Sequence, residues 1–310
     1  MKVPPELEGL LNRAKGTAGG LNVLQPYTFV TQLGEGGMGT VSLLRHEQSG
    51  EQVAIKLIRP ELMTHGDVRK RFLREMQNGS ALRHVNIVRV LHAVHDGNDA
   101  FCLMEYCDGG SLADLMTARG GQLDVDESLS IIEQCLDGLA YAHQAEVPNA
   151  ERADGSIGPA RCLVHRDLKP ANVLLSSRTA PVAKLGDFGL AKMQSIAGLS
   201  GLTGTNAGAW GTPHFMSRRQ LVNFKYSGPE VDVWSIAATL YHMLTGAVPR
   251  DFSGSRDPFV VVRDGDPIPI LDRRANLPPR LAAAIDKALI ESGEPGYRSA
   301  SDFKAALVRA

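Results

Sequence analysis

Residues 163–175, LVHRDLKPANVLL, enclose charged and amide side chains between two short apolar flanks. Pro170 resists the continuation of either helix or strand, so this stretch is expected to be a loop. Charged groups pressed between apolar flanks hardly suit a hydrophobic core, so we consider the stretch a candidate catalytic loop. Its polar members are His165, Arg166, Asp167, Lys169 and Asn172.

A second candidate for chemistry is the glycine-rich stretch LGEGGMGTV, residues 33–41. Gly34, Gly36 and Gly39 leave backbone amides exposed and allow a phosphate group to approach closely. Such spacing alone usually means only a tight turn. A dinucleotide-binding fold would need a helix directly afterwards, whereas TVSLLR is typical of a strand. The pattern predicts a hairpin lying over phosphates.

A third candidate is Lys56 in QVAIKLI, residues 52–58. Strand alternation places Lys56 on one face with apolar Ala54, and an inward-facing ammonium needs an anion. Glu75, on the edge of the apolar stripe of the following helix, can supply one. Alternatively, Lys56 extends to water and Glu75 pairs with a surface arginine. Next to the glycine hairpin, we interpret Lys56 as a phosphate ligand oriented by Glu75.

The order of these motifs resembles that of protein kinases. GEGGMGTV, VAIK, HRDLKPAN, DFG, GTPHFM and DVWS follow one another from about Tyr27 to the C-terminus. The set is most similar to that of bacterial serine/threonine kinases of the eukaryotic (Hanks) type. The resemblance implies an α+β, bilobal protein-kinase-like fold. A small N-lobe would have an antiparallel sheet and one main helix, and a larger C-lobe would be mainly helical.

The resemblance also implies roles for the catalytic residues and a requirement for ATP and Mg²⁺. Asp167 would accept the proton of the substrate hydroxyl or orient that hydroxyl, and Lys169 would contact the transferred phosphoryl group. Asn172 and Asp187 would hold Mg²⁺. Lys56 and Glu75 complete the catalytic set. His165 and Phe188 are expected to stack in the core, and Asp232 to support the catalytic-loop backbone.

The expected ATP site extends from the glycine hairpin to a hinge at residues 105–108. Met104 would be the gatekeeper, Glu105 and Cys107 would offer backbone groups to adenine, and apolar residues would enclose the ring. Plain core packing is the alternative interpretation of each apolar member. The whole set is Leu33, Gly34, Gly36, Gly37, Gly39, Val41, Ala54, Lys56, Met104, Glu105, Cys107 and Leu174.

Regulation is implied by Arg166 and by a long activation segment at about residues 187–220. In the family this arginine receives a phosphate from the segment, which orders it. Thr212 resembles the threonine that contacts the catalytic aspartate and lysine. The candidate phosphate acceptors are Ser195, Ser200, Thr203 and Thr205.

Two departures from the family pattern stand out. Arg219 occupies the place of a glutamate that normally pairs with an arginine, here Arg298. We expect Arg219 to turn to solvent and Arg298 to find another acid among Glu230, Glu294 and Asp302; a shift of register is the alternative. An insertion at 146–162 contains Pro, Gly and Asp-Gly, which favours a solvated surface loop over a docking element.

The elements that position these motifs change character near residue 105. Short runs rich in Val, Ile, Leu and aromatics predict strands before it, and apolar residues at helical spacing predict helices after it. The expected organisation is a lead-in at 1–26, either poorly ordered or a short docking helix, followed by an N-lobe at 27–104. The hinge at 105–108 and a C-lobe at 109–310 follow the N-lobe.

Composition bounds the class of protein. A net charge of -1 among 310 residues gives no indication of a nucleic-acid partner. No apolar run reaches the roughly 18 residues of a membrane helix, and the four cysteines lack metal-site spacing. We expect a cytoplasmic protein whose partners are Ser/Thr-bearing protein substrates. Self-association for phosphorylation between copies is also possible.

Two other functions stay open at this point. A catalytically impaired kinase fold acting as a scaffold is one, suggested by Arg219 but opposed by the complete catalytic set. A small-molecule kinase of the antibiotic-phosphotransferase sort is the other. Such enzymes share the catalytic and metal-binding aspartates but typically lack the HRDLKP run and the GTP loop found here.

Overall fold

Strands and one long helix dominate the chain up to Glu105, and helices dominate after it, as the sequence pattern predicts. The computed structural model describes residues 3–15, 20–63, 66–96, 99–151, 156–176, 181–188, 213–224, 227–254 and 256–310. Within this described part, no helix is both long and apolar enough to cross a lipid bilayer.

A five-stranded antiparallel sheet forms the N-terminal lobe. Its strands are β1 (Tyr27–Gly36), β2 (Gly39–His46), β3 (Gln52–Ile58), β4 (Val90–Asp96) and β5 (Asp99–Glu105), in the order β1-β2-β3-β5-β4. Successive residues of a strand point to opposite faces. Ala54 and Ile58 therefore pack on one face, while Val53 and Ile55 pack on the other.

Each face of this sheet is covered by a helix. Phe72 and Met76 of α2 (Gly66–Ala81) pack with the face that carries Ala54. Leu7 and Leu10 of α1 (Pro5–Ala14) are fully buried against the opposite face. Within residues 3–15 and 20–26, the described part of the lead-in, the structure contains the docking helix that was one of its two interpretations.

The C-terminal lobe is built around a buried central helix. Its helices are α3 (Leu112–Ala118), α4 (Val125–Gln144), α5 (Arg218–Val222), α6 (Glu230–Thr245), α7 (Pro258–Asp264), α8 (Pro279–Ala288) and α9 (Ala300–Val308). Helix α6 is apolar nearly all round and buried along most of its length, as expected of a core helix. It ends at Gly246, whose φ of 69° permits the left-handed cap that the sequence predicts.

Two short hairpins complete the lobe. β8 (Val173–Leu175) and β9 (Ala183–Leu185) pair just after the candidate catalytic loop. β6 (Glu146–Glu151) and β7 (Ile157–Arg161) pair within the insertion at 146–162. The expectation of a solvated loop is therefore corrected: backbone pairing satisfies the amides of much of the insertion, and β6 packs against α2.

All four cysteines are free thiols, and Cys102, Cys107 and Cys135 are buried. Burial raises the pKa of Cys135 to about 12, so this thiol stays protonated and behaves as a small apolar side chain.

Candidate active site

Asp167 lies at the centre of a polar network in the candidate catalytic loop. Lys169 Nζ and Asn172 Nδ2 each lie 3.0 Å from Asp167 Oδ2, and Asn172 also donates to the Asp167 carbonyl at 2.7 Å. Pro170 opens a short 3₁₀ turn, Pro170–Asn172, that returns the asparagine to the aspartate. The structure thus brings together the three residues predicted to act on the transferred group.

The backbone of this loop is held by Asp232, a buried residue of α6. Its carboxylate accepts from the amide of His165 at 2.7 Å and from the amide of Arg166 at 2.8 Å. His143 Nε2 lies 2.8 Å from the same carboxylate. Burial alone would raise the pKa of Asp232, but the hydrogen bonds and neighbouring histidines outweigh burial and hold it below its ordinary value.

Sequence reasoning identified Asp232 as the support of the loop but missed His143. This histidine ends the apolar helix α4 at an ordinary helical position, so nothing in its local sequence marks it. It becomes important because α4 packs beside α6 and carries the imidazole to the buried carboxylate.

The expected stacking of His165 and Phe188 is present. Their ring centroids lie 4.6 Å apart, and His165 Nε2 lies 2.7 Å from the Gly186 carbonyl. Both residues are buried. The stack joins the catalytic loop to the segment that carries Asp187, so the two polar stretches are held in a fixed relation.

Lys56 reaches this segment from the other lobe. Its Nζ lies 2.6 Å from Asp187 Oδ2, and only 10% of its side chain is exposed. Asp187 has a left-handed backbone with a φ of 59°. Burial alone would raise the pKa of Asp187, but the Lys56 ammonium outweighs burial and holds it below its ordinary value.

The predicted role of Glu75 in orienting Lys56 stays a prediction. Glu75 is buried in α2, only 3% exposed. The ion pair of Lys56 within the described residues is nevertheless with Asp187 and not with Glu75. A nearly buried ammonium requires a carboxylate, and Asp187 meets that requirement from across the cleft between the lobes.

The glycine-rich stretch forms the predicted hairpin. Gly36 pairs with Gly39 at its tip, with Gly37 in the turn. Gly39 has a φ of 149°, and a Cβ there would lie 1.7 Å from the Leu57 carbonyl, so only glycine fits. A Cβ at Gly34 or Gly36 would meet nothing within 4 Å. This open space is what close approach of a phosphate requires.

The side chains predicted to surround adenine lie in one apolar cluster. Ala54, Met104 and Cys107 are its buried members, and Val41 and Leu174 pack against them. Leu33 is 42% exposed at the end of the hairpin. The cluster combines strands of the sheet with β8 of the other lobe, so it spans the cleft.

One backbone group of the hinge is already used within the protein. The Glu105 amide donates to the Arg89 carbonyl at 3.0 Å, which leaves the Glu105 carbonyl as its candidate adenine contact. The Glu105 side chain accepts from the Arg89 amide at 2.6 Å and from Lys184 at 3.1 Å.

Arg166, the predicted phosphate receiver, is largely buried beside the catalytic loop. Its Nη2 donates to the Ser227 carbonyl at 3.1 Å, and its guanidinium lies 5.9 Å from the Phe224 ring centroid. Burial lowers the pKa of Arg166, while the Asp232 carboxylate opposes that shift. The predicted regulatory positions Ser195, Ser200, Thr203, Thr205 and Thr212 lie outside the described residues.

Arg219 and Arg298 behave as the favoured expectation describes. Arg298 pairs with Glu294 at 2.6 Å, with both side chains more than 70% exposed. Arg219 donates to the Gly293 carbonyl in an exposed contact. Neither arginine is buried without an anion.

A different ion pair, missed by sequence reasoning, holds the chain at this place. Arg250 and Glu291 form a buried salt bridge, and Arg250 stacks 4.6 Å from the Trp234 ring centroid. Glu291 also accepts from the Arg218 amide at 3.0 Å, while Arg250 donates to the Met216 carbonyl at 2.9 Å. The pair therefore anchors the backbone at the C-terminal end of the activation segment.

Comparison with known proteins agrees with this geometry. The family model "Protein kinase domain" matches residues 27–265. "Serine/threonine protein kinase OSK3" of Oryza sativa subsp. indica is 31% identical over 252 residues, covering 81% of this chain and 44% of that protein. "Serine/threonine protein kinase OSK4" of the same plant is 30% identical over 242 residues, with 78% and 43% covered. The chain thus spans less than half the length of these curated relatives.

Among crystal structures, the chain is similar to the PknI kinase domain of Mycobacterium tuberculosis. The identity is 26% and the TM-score 0.68, with 92% of this chain and 95% of that chain covered. The predicted bilobal fold and the resemblance to Hanks-type serine/threonine kinases are therefore confirmed. The chain belongs to the protein kinase family.

Proposed function

We propose that this chain transfers the γ-phosphoryl group of ATP to serine or threonine hydroxyls of protein substrates. The observation that carries the proposal is the network in which Lys169 and Asn172 hold the Asp167 carboxylate, facing the lobe that presents Lys56. Phosphoryl transfer depends mainly on positioning and electrostatic stabilisation, and this network supplies both.

Asp167 is the group that receives or orients the substrate hydroxyl. Its side chain is only 9% exposed and is held in place by Lys169 and by a hydrogen bond from Asn172. Lys169, bonded to it at 3.0 Å, carries the positive charge that the transferred group would meet. The two residues place a proton acceptor and a positive charge side by side.

The residues also fit a divalent metal held jointly with ATP. No group of three or more His, Cys, Asp or Glu side chains in the described residues could hold a metal alone. Mg²⁺ takes few protein ligands and prefers oxygen atoms from carboxylates and phosphates. The low pKa of Asp187 keeps its carboxylate ionised, and the Asn172 amide offers an oxygen. Bound there, the metal would neutralise charge on the phosphates.

ATP itself would lie between the hairpin and the apolar cluster. The open space above Gly34 and Gly36 suits phosphates, and the cluster around Ala54 and Met104 suits a ring. Lys56 would give phosphate oxygens the positive charge it now gives Asp187.

A pocket beside the catalytic loop supports a peptide substrate. It has a volume of about 350 Å³ and includes Met116, Lys169, Ala171, Phe215 and His242 in its lining. Most of these side chains are apolar, and Lys169 adjoins Asp167. A polypeptide whose hydroxyl lies at Asp167 could place a neighbouring side chain there.

The scaffold alternative loses its supporting observation. It relied on Arg219 replacing a glutamate at the end of the activation segment. The buried Arg250–Glu291 pair now supplies an anchor at that place.

Labelled ATP separates the three functions. The protein is incubated with labelled ATP and Mg²⁺ alone, with a generic protein substrate, or with an aminoglycoside-type metabolite. Label on polypeptide serine or threonine supports the proposal. Binding of ATP without transfer would indicate a scaffold, and label confined to the metabolite would indicate a small-molecule kinase.

Three finer points belong to the same proposal. The activation segment is modified by the kinase itself, with Arg166 as the phosphate receiver. Two copies associate during that reaction. The protein works in the cytoplasm, a reducing compartment consistent with four free thiols.

A further inference from the structure

The hairpin β6–β7 leaves the C-terminal lobe at the end of α4 and returns to it just before the catalytic loop. Glu146 pairs with Arg161 and Val147 with Ala160 at its base. Cys162, the next residue, donates its amide to the Ala145 carbonyl at 3.2 Å. The hairpin is therefore directly continuous with the stretch that carries the catalytic residues.

The base of the hairpin is fixed in the C-terminal lobe. Val147 is 1% exposed and belongs to the core of that lobe. The Leu163 amide donates to the Ala142 carbonyl at 3.0 Å, which closes the connection back onto α4. An ion pair between Arg161 and Glu146 at 2.8 Å is largely exposed and adds little.

The same hairpin reaches the N-terminal lobe through Asn149. Asn78 of α2 donates its side-chain amide to the Asn149 carbonyl at 3.1 Å and accepts from the Asn149 amide at 3.0 Å. The amide nitrogen and the oxygen of the Asn78 side chain thus both bond to the backbone of Asn149. Asn78 is only 2% exposed, so the two bonds are shielded from water.

A third contact is weaker because it is exposed. The Asn149 side chain donates to Gln77 Oε1 at 2.9 Å. Substitutions at Asn149 can therefore remove its side-chain contact while keeping the two hydrogen bonds that its backbone makes with Asn78.

The hairpin contacts the helix that carries Glu75, because Glu75 lies in α2 one turn before Asn78. Glu75 is buried and is the residue predicted to orient Lys56, which would bind the phosphates of ATP. Farther along, the Arg83 amide donates to the Tyr141 hydroxyl of α4 at 3.1 Å. Of these two contacts between α2 and the C-terminal lobe, the Asn78–Asn149 hydrogen bonds lie nearer to Glu75 than the Arg83–Tyr141 bond does.

We propose that the β6–β7 hairpin is an interlobe strap that positions α2, and with it Glu75, relative to the catalytic loop. Asn78 is its positioning residue, and the Asn149 backbone is its partner. The inference rests on the proposed kinase function, since it assigns the strap a role in phosphoryl transfer. The insertion that the family does not need would thereby set the relation between the two halves of the active site.

Asn78→Ala tests the strap because it removes both bonds and leaves the Asn149 amide unpaired. We expect the KM for ATP to rise by on the order of tenfold, since two buried hydrogen bonds no longer hold α2. Amide hydrogen exchange in α2 should accelerate, while exchange in α6 stays unchanged. Asn149→Ala is the matched control: it keeps both backbone bonds and should stay within about twofold of the parent protein.

Asn149→Pro provides a second variant that leaves α2 untouched. Asn149 lies in the irregularity between the Val147–Ala160 and Ala150–Gly158 pairs, so its amide serves α2 and not the β7 strand. Proline there removes one donor. We expect a smaller effect of the same kind as Asn78→Ala, with a higher KM for ATP and faster exchange in α2.

The outcomes separate the strap from the kinase function itself. If the parent protein transfers no phosphate, the kinase proposal fails, while the exchange of α2 still tests the strap. Folded Asn78→Ala and Asn149→Pro proteins with parental KM and parental exchange would overturn the strap. So would an Asn149→Ala protein as impaired as Asn78→Ala, because the side chain and not the backbone would then form the tie. If Asn78→Ala does not fold, Asn149→Pro decides alone.

Discussion

At the scale of single residues, the site depends on charges that are kept in place by neighbours. Asp167 is held by Lys169 and Asn172, and Asp187 by Lys56. Each carboxylate has a positively charged partner within hydrogen-bonding distance. Such fixed charges act more strongly in a partly buried site than in water, because little solvent rearranges around them.

Replacing either key residue of this set should remove activity but not folding. For Asp167→Asn, which loses the proton acceptor but keeps the shape, we expect phosphate transfer to fall at least 10²–10⁴-fold. Lys56→Met, which loses the phosphate-binding charge, should show a comparable loss. Transfer of labelled phosphate and thermal unfolding are measured together. Glu294→Gln, in an exposed ion pair, is the control that should keep both. Near-parental transfer by a folded Asp167→Asn protein would contradict the assignment.

Asp232 should make folding stability depend on acid pH. Its folded-state pKa is depressed below the ordinary value of 3.8, so its contribution to stability is present above that value and is lost as pH falls through the folded pKa. Asp232→Asn should lower the free energy of unfolding by about 3–5 kcal/mol near neutral pH, because it breaks a buried network. Denaturant unfolding at several pH values measures this. The difference in the free energy of unfolding between the two proteins should shrink below pH 3.8. A difference that grows there would show that the pKa of Asp232 is not depressed in the folded protein.

At the scale of elements, segments near the active site are anchored by hydrogen bonds from residues that lie far away in the sequence. The backbone at Met216 and Arg218 is fixed by Arg250 and Glu291, which come from two different connections between helices. The hairpin β6–β7 and α2 are tied through Asn78 in the same manner. These segments are thus anchored because residues of other elements satisfy their backbone groups.

The Arg250–Glu291 pair should contribute far more to stability than the exposed pair nearby. Glu291→Gln leaves the Arg250 charge buried without its anion, and we expect a loss of about 3–5 kcal/mol in the free energy of unfolding. Arg298→Gln, which breaks an exposed pair, should change it by less than about 1 kcal/mol. Denaturant unfolding of the two variants compares them. Equal effects would mean that the buried pair does not anchor the segment.

At the scale of the whole molecule, the two lobes meet through a few polar contacts that surround the cleft. Lys56 and Asp187 join across it, as do the amide of Val88 and the carbonyl of Leu185 at 2.9 Å. Arg166 lies behind the catalytic loop with a largely buried guanidinium. A phosphate there would meet a positive charge that is poorly shielded by water.

Activation-segment phosphorylation is therefore expected to occur between two copies of the protein. After incubation with ATP and Mg²⁺, mass spectrometry should find phosphate on Ser195, Ser200, Thr203 or Thr205. The rate per molecule should rise with protein concentration, because one copy modifies another. Phosphatase treatment should lower activity towards other substrates. Modification confined to residues outside 195–205, with activity unchanged by phosphatase, would refute this regulation.

The sequence by itself determined the lobes, the glycine hairpin and the catalytic loop. These features depend on local pattern: alternation in β3, helical periodicity in α4 and α6, and glycines or Pro170 where the backbone must turn. His165 and Phe188 were also found because their motifs are short and ordered along the chain. Neighbouring residues are sufficient to specify each of these structures.

Tertiary structure alone decided which polar groups meet. Lys56 pairs with Asp187 across 131 positions, His143 meets Asp232 across 89, and Asn78 meets Asn149 across 71. Each pairing depends on how helices and sheet pack, and a buried polar group takes whichever partner that packing brings within reach. Local sequence carries no record of that partner, so the Lys56–Asp187 pair and the insertion's contact with α2 were not predicted.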